Sequence, residues 1–169
     1  MKRILYLLLG IVIITYACQT NSELTDSDKE AIVQAVQEAS QGYWTAIGQT
    51  YDNESPGEIK KYFDENADII WQTEPVAFVL NTSITNKQAD WLEMFETIIM
   101  NRISTPCTIL ETYYSVISHD KVLEVIKGDA SYMEKDSTVV GPFKYVNTAL
   151  WANINGEWKM QFNHQSTDN

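Results

Sequence analysis

Hydrophobic and polar positions alternate in four different textures along the chain. Residues 4–17 form an unbroken apolar run of fourteen, preceded by Met1-Lys2-Arg3. Residues 19–28 (QTNSELTDSD) are polar and acidic, with no hydrophobic period. A helical stripe follows, in which Ile32, Val36, Ala39, Tyr43 and Ile47 recur at steps of four, three, four and four. Gln34, Gln37, Glu38 and Gln41 fall away from it, so one face is apolar. Asp26-Ser27-Asp28 offers an N-cap and an acidic first turn that suits the helix dipole.

The spacing then shortens. Ser55-Pro56-Gly57-Glu58 has the form of a capping box, with proline at the first helical position, and predicts a short second helix to about residue 63. Residues 67–72 and 76–80 are β-prone runs separated by Glu74-Pro75, which predict a hairpin or a bent strand. A third helix is expected over 86–101, with Ala89, Leu92, Phe95 and Ile99 on one stripe. Beyond Pro106 the pattern turns to strands at 108–118, 122–133, 143–154 and 157–166. Ser118-His119-Asp120, Gly141-Pro142 and Asn155-Gly156 break them with turn chemistry. Asn155-Gly156 is the sharpest signal, since both residues tolerate the positive φ of a type I′ hairpin. Helices followed by a meander predict an α+β fold, with helices on one face of a curved antiparallel sheet. In the last strand, Trp158, Met160, Phe162, His164 and Ser166 share one parity, which by simple alternation points inward.

The apolar start reads as an address. Fourteen helical residues span about 21 Å, short of a hydrocarbon core of about 30 Å, which disfavours a lasting transmembrane helix. A basic start, an apolar middle and Ala17 before Cys18 form an export signal that resembles a bacterial lipoprotein leader. Lipid on Cys18 would anchor the mature chain to an envelope membrane, facing periplasm or exterior. Thr15-Tyr16 departs from the usual leucine and small residue of such leaders, and ordinary cleavage after Ala17 would give the same chain without lipid. The expected organisation is a signal at 1–17, an acidic tether at 18–26 and one domain at 27–169.

Charge and composition narrow the functions. Twelve Lys and Arg against 23 Asp and Glu give a net charge of -11, and the pI near 4.5 repels nucleic acid. With 44% apolar residues and five Trp, the chain is too hydrophobic for a disordered tail. Its two cysteines, Cys18 and Cys107, make no disulfide framework if the first is acylated. Its two histidines, His119 and His164, lie far apart and support no metal site. No cofactor motif is present.

The ending carries a resemblance. Gly156-Glu157-Trp158 followed by His164-Gln165-Ser166 resembles the terminal strand of the nuclear transport factor 2-like superfamily, nearest the SnoaL-like and kinase association-domain branch. The order of elements over about residues 27–167 agrees. The resemblance implies a cone: a strongly curved antiparallel sheet wrapped around three N-terminal helices, with an apolar cavity open at one end. It also implies a homodimer through the outer sheet face. In the association-domain branch an Arg-x-Thr precedes the last turn. Thr148 stands in the threonine's place, but Val146 replaces the arginine, so no arginine clamp for a carboxylate carries over.

These expectations select site candidates. His164, on the inward parity, suits a pocket base or hydrogen-bond donor. Tyr43, on the buried helix stripe, suits an oxyanion donor by likeness to the steroid-isomerising relatives. Asp68 and Asp129 are weaker carboxylate candidates. Trp71 and Thr148 complete the expected ligand contacts. The leading expectation is a module that binds a small apolar molecule. The alternatives are an isomerase or lyase acting on a small cyclic substrate, and an envelope protein-interaction module.

Overall fold

The computed structural model describes residues 23–53, 55, 57–73, 84–87, 102–104 and 107–168. The leader with Cys18, the 76–80 run and most of the expected third helix lie outside the described residues. Helix α1, Asp26–Asn53, opens on a reciprocal cap: Asp28 N–H donates to Thr25 Oγ1 at 3.1 Å, and Thr25 N–H donates to Asp28 Oδ2 at 3.0 Å. The cap is therefore Thr25, one residue before the expected acidic triplet. Hydrogen bonding to Thr25 holds the Asp28 carboxyl below its usual range. The helix has 28 residues, about 42 Å, and its buried stripe is Val36, Ser40, Tyr43, Ala46 and Thr50.

The capping box at residues 55–58 does not form. Ser55 Oγ accepts from Gly57 N–H at 3.3 Å, Glu58 turns to Lys61 at 3.0 Å, and Glu58 makes no side-chain cap. A single 3-10 turn, Ile59–Tyr62, replaces the second helix, pinned by the fully buried Ile59.

Among the described residues seven strands follow: β1 Phe63–Thr73, β2 Ile84–Lys87, β3 Arg102–Ser104, β4 Cys107–Ser118, β5 Lys121–Glu134, β6 Val139–Ile154 and β7 Glu157–Asp168. They form one sheet in the order β2-β1-β7-β6-β5-β3, with β4 also paired to β5. The tight turns from β4 to β7 make that part antiparallel, as expected. The Asn155-Gly156 turn has φ of 56° and 91°, both positive as a type I′ turn requires. Strand β6 runs through Gly141-Pro142, the expected break, because the ladder takes a register shift opposite Ala130 and Tyr132.

Two expectations are corrected. The sheet is mixed, because β1 pairs parallel with β7. Those strands stand at opposite ends of the chain, so no tight turn dictates their direction. The expected second helix is also a 3-10 turn, Ile59–Tyr62, while most of the expected third lies outside the described residues. Asn86 and Lys87, expected to start the third, pair with β1 as part of β2.

Helix α1 packs on one face of the sheet. Val36, Tyr43 and Ala46 meet Ile59, Phe63, Ala67, Ile69, Val122, Ala149, Trp151 and Met160 in the core. Gly128 is needed where β4 crosses β5, since a Cβ there would collide with the Thr108 carbonyl oxygen. No helix among the described residues is long and apolar enough to cross a membrane.

Candidate functional site

Alternation along β5 buries Val122, Glu124 and Ile126, and along β6 it buries Tyr145, Asn147, Ala149 and Trp151. Strand β7 breaks that rule. Leu150 pairs with Phe162, yet the next residue of β6, Trp151, pairs with Met160. Gln161 is thus an extra residue, a β-bulge that reverses parity along the rest of the strand. Met160 is buried before the bulge and Asn163 after it. Asn163 Nδ2 donates to Asn147 Oδ1 at 2.9 Å, and Gln165 Nε2 reaches the Tyr43 hydroxyl at 3.4 Å. Asn163 and Gln165 therefore face α1.

The same step turns His164 away. It pairs with Thr148, between the buried Asn147 and Ala149, and both His164 and Thr148 lie on the face opposite α1. The inward histidine expected from plain alternation is an outward one. Asp129 also points outward, where it holds Lys144 at 2.7 Å in a surface ion pair. Asp68 is exposed, opposite Phe162. Trp71 pairs through its backbone with Gln165, and its side chain lies outside what is described. Of the expected candidates with described side chains, Tyr43 alone enters the interior, where it is 1% exposed.

The interior is organised by a residue the candidate list missed. Glu124 is 1% exposed and sits in a cross-sheet row: Tyr114 on β4, Glu124 on β5, Ala149 on β6, Asn163 on β7 and Ile69 on β1. Its Oε2 accepts from Trp151 Nε1–H at 2.8 Å. Its Oε1 is buried and has no hydrogen-bond partner among the described residues. The Ser40 and Tyr114 hydroxyls stand near enough to act on the carboxylate but do not close a hydrogen bond to Oε1. Burial pushes the Glu124 pKa up, and the Trp151, Ser40 and Tyr114 dipoles offset part of that rise. Burial likewise raises the Tyr43 and Tyr114 phenols, with the Glu124 charge adding to both. Both phenols stay protonated near neutrality and can donate. The sequence did carry a signal for Glu124: it shares parity with Val122 and Ile126, whereas Lys127 and Asp129 do not.

Two further buried polar atoms have no partner among the described residues, Asn163 Oδ1 and Trp44 Nε1. Leaving such groups unpaired costs about 1–3 kcal/mol each, so their collection on one interior points to function. Trp44 packs edge-on to Tyr145, with ring centroids 5.9 Å apart. Cys107 is half-buried, and burial raises its thiol. Among the described residues, no group of three or more His, Cys, Asp or Glu is placed to hold a metal ion.

The sequence matches no protein-family model and no curated relative. Solved structures do share the architecture. A scytalone dehydratase-like protein from Novosphingobium aromaticivorans superposes with a TM-score of 0.67 at 12% identity, covering 86% of this chain and 89% of its own. Hexachlorocyclohexane dehydrochlorinase LinA type 3 from Novosphingobium barchaimii gives 0.62 at 14% identity, with 86% and 92% covered. A dehydratase-type protein of the nuclear transport factor 2-like family from Streptomyces avermitilis gives 0.61 at 14% identity, with 83% and 99% covered. At these identities the likeness establishes architecture and leaves activity open. The long helix laid across a mixed sheet, with the last strand opening at a Gly-x-Trp turn, is the architecture these structures share, the nuclear transport factor 2-like fold.

Proposed function

We propose that the interior between α1 and the sheet binds a small, largely apolar molecule, with Glu124 as its polar anchor. The observation that supports this reading is a pair of buried acceptors without partners among the described residues, Glu124 Oε1 and Asn163 Oδ1, flanking Ala149 in one cross-sheet row. Tyr43, Trp44, Tyr145 and Trp151 supply apolar surface around them, and Tyr43 and Tyr114 supply phenolic donors. Native mass spectrometry of the purified full-length chain tests the reading against its denatured mass. An adduct lost on denaturation, or taken up from a small-molecule panel with a rise in melting temperature, is the expected result. A clean mass and an unchanged melt across the panel would overturn it.

A second reading makes this site an isomerase or lyase. Glu124 is the only charged side chain fully buried among the described residues, and several solved structures of the same architecture are dehydratase-type or dehydrochlorinase proteins. Glu124 would take the proton from a ring carbon while Tyr114 or Tyr43 donates to the oxygen gaining charge; the protonated acid would then deliver the proton to another ring carbon in an isomerisation, or to a departing hydroxyl that leaves as water in an elimination. Solvent deuterium entering the bound molecule in the wild type but not in Glu124→Gln supports this chemistry; equal exchange in both refutes it.

The leader supports export and lipid anchoring at Cys18, which would place the site at an envelope membrane. The outward face carries Tyr113, Leu123, Val125, Leu150 and Phe162, which supports a homodimer through that face. Sedimentation equilibrium would show the dimer, and a Leu150→Glu change should split it.

A further inference from the structure

Glu124 has no counter-ion in the described interior. No Lys or Arg is buried among the described residues. Lys127–Glu111, Lys144–Asp129 and Lys159–Glu157 pair at the surface, and Arg102 lies 3.7 Å over the Tyr132 ring on the far part of β5. A carboxylate taken out of water without a cation costs several kcal/mol. It escapes that cost by taking a proton or by taking a positive ligand.

The surroundings favour the ligand. Tyr114 and Trp151 flank the carboxylate, and Tyr43 stands one helical turn beyond Ser40. Aromatic faces attract organic cations, with a gain that grows when water is excluded. A second partnerless acceptor, Asn163 Oδ1, lies two strands away, about 9–10 Å at the backbone. On the strand between them stands Ala149, which presents only a methyl group. Both groups are acceptors, so they call for a ligand rich in N–H donors. A net charge of -11 raises the local concentration of cations around the whole molecule.

We propose that the ligand of the interior site is a small organic ammonium ion, with the Glu124 carboxylate as its counter-ion and Asn163 Oδ1 as a second acceptor. This rests on the reading that the interior binds a small molecule. Anionic ligands are excluded by the same charge.

Calorimetry and thermal melting of the full-length protein at pH 8 test it with four probes. Two are cations, tetramethylammonium and cyclohexylammonium; cyclohexanol is the neutral analogue and cyclohexanecarboxylate the anionic one. The expected ranking places a cation about ten-fold or more ahead of the alcohol, a difference of one buried charged contact, with no binding of the carboxylate. Glu124→Gln should lose that preference. If cyclohexanol binds as tightly as either cation, or Glu124→Gln keeps the preference, the ammonium assignment fails and the small-molecule site stands. If no probe shifts the melt and native spectra show no adduct, both fail. The wild-type ranking decides the matter even if the variant does not fold.

Discussion

Replacing Glu124 by Gln should change the slope of stability against pH. Burial raises the Glu124 pKa above the ordinary 4.5. Between that ordinary value and the raised one, the folded protein holds more protons than the unfolded chain. Stability contributed by this group is therefore complete below about pH 4.5 and is lost as pH rises through the folded value, at about 1.4 kcal/mol per pH unit. Glutamine keeps an oxygen for Trp151 Nε1 and adds an amide that can donate to the Ser40 or Tyr114 hydroxyl. Above the folded value the variant therefore relieves an orphaned buried oxygen, about 1–3 kcal/mol, and gives up the charge assistance in the Trp151 bond, about 1 kcal/mol. A net gain of about 1 kcal/mol for Glu124→Gln is expected at pH 8, shrinking or reversing at pH 4.5. Urea unfolding of both proteins from pH 4.5 to 8, followed by tryptophan fluorescence, reads the difference directly. Every other titrating group cancels in the subtraction. Two parallel curves, with a difference constant over the range, would refute the placement of an ionisable group in a dry interior.

Four more outcomes are expected. Trp151→Phe should cost about 2 kcal/mol or more and, in a double-mutant cycle with Glu124→Gln at pH 8, couple by about 1 kcal/mol; zero coupling would deny the indole–carboxylate bond. Gly128→Ala should cost about 1–3 kcal/mol in urea unfolding, because β4 backbone must shift; a neutral result would mean that the β4–β5 crossing is looser. His164→Ala should change stability by about 0.5 kcal/mol or less and leave interior ligand affinity intact, and a lost ligand would restore it as a pocket residue. Cys18→Ser should abolish partitioning of the cell-made protein into detergent, and unchanged partitioning would remove the lipid anchor.

Much of the framework is legible because its determinants are local. The α1 stripe follows from steps of three and four, and the β4–β7 meander from runs bounded by turn residues. Asn155-Gly156 announces its own backbone angles. What escaped has non-local causes. No residue near Phe63 records that β1 will run parallel to a strand a hundred positions later. The capping box at residues 55–58 is a pattern whose partners chose other bonds: Ser55 with Gly57, and Glu58 with Lys61. Short polar side chains have several satisfactory partners within reach, and the spacing alone does not rank them.

The site itself turned on a single residue of register. Counting by twos from Trp158 puts His164 inside, and the count is sound until Gln161, where two residues of β7 face one step of β6. From there Asn163 and Gln165 take the inner face and a histidine becomes a surface residue. A bulge leaves little trace in a sequence, since its energy lies in the pairing rather than in the bulged side chain. A charge on core parity within an unbroken strand is the more robust signal, because no local slip is needed to explain it. Glu124 between Val122 and Ile126 was such a signal. Burying a carboxylate there is costly in any fold, so its persistence in the core argues for a role that an apolar residue would not fill. The packing of this chain accounts for an outward histidine at little cost, and does not account for an interior acid.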